Sequence, residues 1–233
     1  MTVGIIGVFI LGIFTLLGPI TSVLLQRSVN TSDLELVDAT FEESAEATTL
    51  DIKVRNTGEE VAYLKEANFN VERTWELWST IFPGRVPVTG NYDVSLTPAD
   101  TPYTRTVKLS ERVDPEEVDR VTFTLTLNDR AKAYSEKTNY VFLTTVDLVY
   151  DEDDMVMSSE NLLFIRELPW QQAESGVKTY YPYEGPGALD GDQGMSFRKV
   201  RAHNEDVVDE IGRIEGIRSQ SLEALIRYIS QKT

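Results

Sequence analysis

The 233-residue chain contains no cysteine. A disulfide framework, a thiolate nucleophile and a Cys-based zinc site are therefore excluded. Histidine occurs once, as His203, close to Arg198, Lys199 and Arg201. A catalytic base needs an orienting carboxylate and a nucleophile in a pocket, and the sequence signals neither near His203. The patterns G-x-S-x-G, H-E-x-x-H and G-x-x-x-x-G-K-[ST] are missing as well. Composition thus points away from an enzyme, and no cofactor is expected. Positive charge is scarce: 22 Lys plus Arg stand against 38 Asp plus Glu, a net charge of −16. The deficit is local, with 32 acidic and 14 basic residues from Ser28 to Ser196, but 6 acidic and 7 basic from Phe197 onward. Such a middle region repels DNA, RNA and anionic lipid, so a nucleic-acid partner is not expected. Long apolar runs are absent after Leu25.

Before Leu25 there is one. Val3 to Leu25 reads VGIIGVFILGIFTLLGPITSVLL, without a charged residue. At about 1.5 Å per residue it spans a hydrocarbon core of about 30 Å as a helix, the form that satisfies its own backbone in lipid. A cleavable signal peptide would have a basic n-region, a shorter apolar core and a small-x-small site. Here only Met1 and Thr2 precede the run, and Ser22–Gln26 offers no such site. Residues 1–27 are therefore expected to be a retained single-pass anchor. Pro19 after Gly18 removes a helical donor and predicts a kink. Arg27 is the only early basic side chain, and by the positive-inside rule it places the rest of the chain in the cytoplasm. Asn30-Thr31-Ser32 is a formal glycosylation triplet that would argue the opposite orientation.

From Thr48 the apolar period is two. Leu50, Ile52 and Val54 alternate with Asp51, Lys53 and Arg55, a half-buried strand that ends at Asn56-Thr57-Gly58. Asn and Gly there can take positive φ at little cost. A second alternation places Val61, Tyr63, Ala67, Phe69 and Val71 in one phase. Further strands are expected at Leu34–Val37, Tyr92–Leu96, Tyr103–Leu109, Val121–Leu127, Tyr140–Tyr150 and Met155–Ile165, the last two a hairpin about Asp151–Asp154. Seven or eight strands without an intervening helix predict a mainly β domain over 28–166, an antiparallel sandwich or barrel. The runs LDIKVRNTGEEVAYL and DPEEVDRVTFTLTL resemble the immunoglobulin-like modules of bacterial and archaeal envelope proteins. That resemblance covers residues 34–166 and implies a sandwich rather than an activity; the Cys–Trp–Cys core of true immunoglobulin domains is missing.

Residues 167–196 hold three prolines, five glycines and the cluster Tyr180, Tyr181 and Tyr183, and read as an extended linker. From Phe197 the period becomes helical. Val207, Ile211, Ile214, Leu222, Leu225 and Ile229 fall on one apolar face of an amphipathic C-terminal helix over 197–233. The register slips near Ile217, and Gly212 and Gly216 would let another helix approach. Two destinations exist for this face: the chain's own sandwich, or a partner helix, as in a coiled coil, from a second copy or another subunit. The long linker favours the partner, so these six residues are the expected partner-binding site.

Two acidic stretches, Asp151–Asp154 and Asp190–Gly194, supply oxygens of the kind calcium takes, yet neither matches an EF-hand loop, so no metal site is expected. Trp75, Trp78 and Phe82 are a candidate sugar or peptide platform, with core packing as the alternative. Together these features predict a single-pass membrane-anchored, non-enzymatic scaffold or interaction subunit of a membrane assembly. The competing class is an extracytoplasmic receptor module that binds a ligand or Ca²⁺.

Overall fold

The structure, a computed structural model, describes residues 31–43, 48–78, 92–98, 101–127, 138–166 and 197–231. The expected anchor at 1–27, the linker at 167–196, Phe82 and the Asp190 loop lie outside the described residues. Among the described residues no helix is long and apolar enough to cross a membrane.

The chain is mainly β, in two sheets. In chain order the strands are β1 (Leu34–Glu43), β2 (Thr48–Asn56), β3 (Ala62–Trp78), β4 (Tyr92–Leu96), β5 (Tyr103–Val113), β6 (Val118–Leu127), β7 (Thr138–Tyr150), β8 (Met155–Ser158) and β9 (Leu162–Arg166). Helix α1 (Phe197–Gly212), the two-residue β10 (Ile217–Arg218) and helix α2 (Gln220–Ser230) follow. The smaller sheet has the order β1-β2-β6-β4. The larger has the order β10-β9-β7-β3-β5, with β8 also paired to β7. The pairing is not wholly antiparallel, as alternation alone had implied. β4 runs parallel to β6, and β10 parallel to β9. Alternation fixes which face a residue takes, but not the direction of its neighbour.

The sheets pack face to face. Leu50, Ile52, Val54, Phe123 and Leu125 of the smaller sheet share one apolar cluster with Phe69, Val71, Phe142, Leu148 and Phe164 of the larger. Phe69 meets Phe123 edge-on with centroids 5.1 Å apart, and Phe41 lies 5.4 Å from Phe164. Each such fully buried side chain contributes on the order of 1.5–3 kcal/mol. The strict alternation Val121-Phe123-Leu125-Leu127 works as read, with all four buried.

β3 does not keep one phase. Its register against β7 shifts between Leu64 and Glu66 and again between Val71 and Arg73. Each bulge adds one residue and turns the side chains beyond it to the opposite face. Ala62 and Leu64 point into the sandwich, so Tyr63, expected inside, is 53% exposed. Ala67, Phe69 and Val71 point in again, whereas Trp75 and Leu77, past the second bulge, face away. The Asn56-Thr57-Gly58 turn ends β2 as read, without using the positive φ open to Asn and Gly. Among the described residues the non-glycine positive φ values belong to Glu116, Asp151 and Asp154, and the one positive-φ glycine is Gly216. Gly58 serves close approach instead: a Cβ there would lie 2.1 Å from the Thr31 carbonyl oxygen.

The C-terminal segment is two helices rather than one. The chain leaves α1 after Gly212 and passes Gly216 at φ +148. It then adds β10 beside β9, with Ile217 N–H donating to the Asn161 carbonyl at 2.8 Å. A Cβ on Gly216 would collide with Asn161, while Gly212 has open space around it. Asn161, not another helix, makes the close approach at Gly216. Ser219 caps α2 through its side chain, and the Arg218 guanidinium donates to the Ile214 carbonyl at 2.6 Å beyond the end of α1.

Candidate functional site

The outer face of the larger sheet divides into a covered and an uncovered half. On the covered half, Trp75 and Leu77 of β3, Val141 and Leu143 of β7, and Leu163 and Ile165 of β9 form a second apolar cluster with α1 and α2. Polar contacts fix the helices there. The Asn204 side chain accepts from Trp78 N–H at 3.0 Å and donates to the Trp78 carbonyl at 2.9 Å. His203 stacks on Trp78 at 3.8 Å and 12°, and its Nε2 lies 2.9 Å from the Glu76 carbonyl, which only accepts, so that nitrogen carries the proton. β5 stops pairing at Tyr103 opposite Val71, and α1 side chains thus meet the strand edge beyond it. Trp75 Nε1 donates to Glu210 at 3.0 Å, and Glu210 also pairs with Arg73. At the other end, Glu43 of β1 accepts from the Ser221 N–H at 2.7 Å, a carboxylate on the α2 N-terminus.

The uncovered half is polar and internally bonded. Asp147 of β7 accepts from Ser158 of β8 at 2.6 Å and from Asn70 of β3 at 2.7 Å. Asn70 in turn accepts from Thr104 of β5 at 2.8 Å, and Asn68 from Thr106 at 2.6 Å. This ladder crosses four strands and holds its side chains in fixed positions. Below it lie Tyr63, Val149 and Val156. Val149 and Val156 are cross-strand partners, Val156 is 55% exposed, and none of the three belongs to either apolar cluster.

The same end of the sandwich receives the chain at Thr31. Thr57 N–H donates to the Asp33 carbonyl at 2.7 Å and Glu59 N–H to the Thr31 carbonyl at 3.0 Å. Asn56, fully buried, joins four segments. Its Oδ1 accepts from Asp33 N–H at 3.2 Å and Gly58 N–H at 3.0 Å, while its Nδ2 donates to the carbonyls of Glu60 at 2.7 Å and Val113 at 3.0 Å. Beside it, the Tyr150 hydroxyl accepts from Leu34 N–H at 3.4 Å, and burial raises its pKa above the usual phenol value. The Asp151–Asp154 turn is folded around Lys65, whose ammonium donates to the Asp151 carbonyl at 2.9 Å and to Asp154. The hydrogen bond to Asp154, followed by the pull of nearby carboxylates against a desolvation penalty, raises the Lys65 pKa. An ammonium thus occupies the place a cation would take. Among the described residues no group of three or more His, Asp or Glu is arranged to hold a metal ion.

The six residues expected to bind a partner are brought together, but against the chain's own sheet. Val207, Ile211, Leu222, Leu225 and Ile229 are buried in the second cluster, and Ile214 packs against it half-buried. A partner helix at this face would have to displace β3, β7 and β9. The aromatic platform is likewise engaged: Trp75 is 5% exposed under α1, and Trp78 carries His203. The polar ladder and the Tyr63 corner were missed. Asn68, Asn70 and Asp147 did stand at alternate positions in apolar strands, a signal for a solvent-facing row. Tyr63 was hidden by the bulge that inverts its face.

No protein-family model matches the sequence, and no curated protein matches it. Solved structures of low likeness exist. One is a solution structure of a late embryogenesis abundant (LEA) protein, 10% identical, covering 67% of this chain and 83% of that one, with a TM-score of 0.31. A protein from Archaeoglobus fulgidus is 14% identical over 58% of this chain and 94% of that one, with a TM-score of 0.27. The ApaA protein from Bordetella pertussis is 11% identical over 61% and 98%, also with a TM-score of 0.27. They assign the chain to no family. Likeness of this size carries no functional argument.

Proposed function

We propose that the protein is a non-enzymatic interaction subunit, held at a membrane by residues 1–27, with its β domain in the cytoplasm. The observation that carries this reading is the half-covered sheet. The chain's own helices take one half of the outer face, and the other half presents exposed Tyr63 and Val156 beside a preformed polar ladder. Ordered polar side chains next to uncovered apolar ones are the makings of a protein-binding surface, since little entropy is lost there on binding. The partner contact is thereby moved from the six helical residues to this face. The apolar run Val3–Leu25 supports the anchor, and the hydrogen bonds to Thr31 and Asp33 tie the domain to the chain within a few residues of that run. His203 is engaged in holding α1, which supports a role other than catalysis.

The finer fold reading is an immunoglobulin-like module. The path β1-β2-β6 facing β9-β7-β3-β5 corresponds to strands A-B-E against G-F-C-C′. The parallel β4 and the outward-facing Trp75 depart from that pattern.

Two measurements test the reading. Alkaline extraction should leave the full chain with the membrane, and a reporter after Thr233 should be active in the cytoplasm; a periplasmic or external reporter would overturn the orientation. A photo-crosslinker at position 156 should give a discrete partner adduct that the same group at position 42, on the smaller sheet, does not. Equal yields at both positions would refute the face.

A further inference from the structure

The kind of partner follows from what surrounds the exposed apolar corner, given that the uncovered half of the larger sheet is the interaction face. Tyr63 is 53% exposed and Val156 55%, and Val149, paired with Val156 on β8 and with Glu66 on β3, lies on the same side of the sheet. Some apolar surface is thus available, but too little for an obligate, largely apolar interface. Its borders carry carboxylates. Asp147 stands above the corner, and Asp151, Glu152 and Asp153 stand below it in the β7–β8 turn. Among the described residues none of these four is in an ion pair; Asp147 and Asp151 accept only from neutral donors, Asp151 from the Ser32 hydroxyl and from Tyr63 N–H at 2.8 Å. The cations that border the corner are already engaged: Lys65 with Asp154, Lys108 with Glu66, and Arg112, which stands opposite Tyr63 on β5, with Asp114. The chain as a whole carries −16.

We propose that this corner binds a basic amphipathic segment of a partner protein, with two or three apolar side chains set on Tyr63, Val149 and Val156 and Lys or Arg reaching the flanking carboxylates. Charge complementarity selects this occupant. An acidic or neutral segment would leave four carboxylates beside a desolvated surface without a counter-charge, and an anionic lipid surface would be repelled. A second copy of this chain brings the same sign of charge to the same place, so a two-fold self-contact at the corner is disfavoured. Apolar contact then provides the affinity, and the carboxylates provide selectivity and salt dependence.

The test uses the full chain in neutral detergent and fluorescence anisotropy with a labelled twelve-residue Lys-rich peptide carrying Leu at i and i+4, with empty micelles as the blank. The peptide should bind, and raising the salt severalfold should weaken it. The paired substitution Tyr63→Ser with Val156→Ser should weaken it by about tenfold or more. The paired substitution Glu152→Gln with Asp153→Gln, at an exposed turn where folding is not at stake, should weaken it and flatten the salt dependence. A peptide with Glu in place of Lys should not bind. Lys-peptide binding indifferent to both substitutions, or equal binding of the Glu peptide, overturns the proposal. A discrete crosslink from position 156 together with no Lys-peptide binding would overturn the basic partner while leaving the face itself standing.

Discussion

Replacing Asn56 tests the reasoning at the point where four segments meet. The side chain is fully buried and makes four hydrogen bonds, two as acceptor from Asp33 and Gly58 and two as donor to Glu60 and Val113. Asn56→Ala removes all four and leaves two backbone N–H groups and two carbonyls without a partner. At about 0.5–1.5 kcal/mol net for each bond, with some re-solvation at this end of the sandwich, the cost is about 3–5 kcal/mol. That is a large share of the roughly 5–15 kcal/mol that holds a domain folded. Asn56→Asp keeps the shape and the two accepted bonds, but turns an oxygen toward the carbonyls of Glu60 and Val113. The ionised form is disfavoured there, so the new carboxyl has a folded-state pKa above its unfolded value of about 3.9. The unfolded state then releases its proton first as pH rises, and stability relative to the natural protein is lost through the window between the two values. The penalty should therefore be largest at neutral pH and shrink toward pH 4, where the protonated carboxyl can donate to one carbonyl. Urea unfolding of the full chain in neutral detergent, followed by tryptophan fluorescence at several pH values, measures both effects. Costs below about 1 kcal/mol for both variants, or a pH-independent penalty for Asn56→Asp, would refute the hub.

Other outcomes follow from the same geometry. Ile211→Ala, at a fully buried position under the helices, should cost about 2–5 kcal/mol and shift tryptophan emission to the red; an unchanged melting temperature would argue against the docked helices. Gly58→Ala and Gly212→Ala should differ in sign. The first forces a Cβ to within 2.1 Å of the Thr31 oxygen and should cost about 1–3 kcal/mol, while the second has free space and should gain about 0.4–1 kcal/mol, both read from thermal unfolding. Stability should fall as pH rises above about 10. Tyr92 is raised chiefly by its hydrogen bond to Glu111, Tyr103 and Tyr150 chiefly by burial, and Lys65 by Asp154. The stability each contributes is present below its unfolded pKa and is lost as pH rises through the folded one, so Tyr150→Phe should make the alkaline decline shallower in a pH-dependent melt.

The strands were legible because one face of each is buried, and burial writes a period of two into the sequence; β2 and β6 are the clear cases. Two kinds of information were not written that way. The parallel neighbour of β6 depends on the route the chain takes between strands, which leaves no periodic trace. The inverted faces of β3 depend on single extra residues, which a fixed phase reads straight through. The helical segment was legible as an apolar face and as a slip near Ile217, yet not as a turn, because Gly212 and Gly216 are tolerable inside a helix by propensity alone. Its destination was misjudged for a related reason. The length of the linker was taken to favour a partner, while the apolar surface that Trp75 and Leu77 offer past the second bulge was read as a platform and a strand end. The uncovered face escaped notice because its polar residues satisfy one another and carry no catalytic pattern.

The second bulge in β3 makes one residue near Glu72 act as a reading frame for space. On one side of it the strand serves the sandwich, and on the other it serves the helices. Substitutions at Glu72 itself, which is exposed, should be absorbed with little effect. Deleting it would rotate Trp75 and Leu77 into the gap between the sheets and take them away from the helices, so both cores would fail together. Variation in this protein's lineage is therefore expected to be free in residue type at that point and intolerant in chain length. Two cores that share the strands β3, β7 and β9 in this way are inherited as one unit.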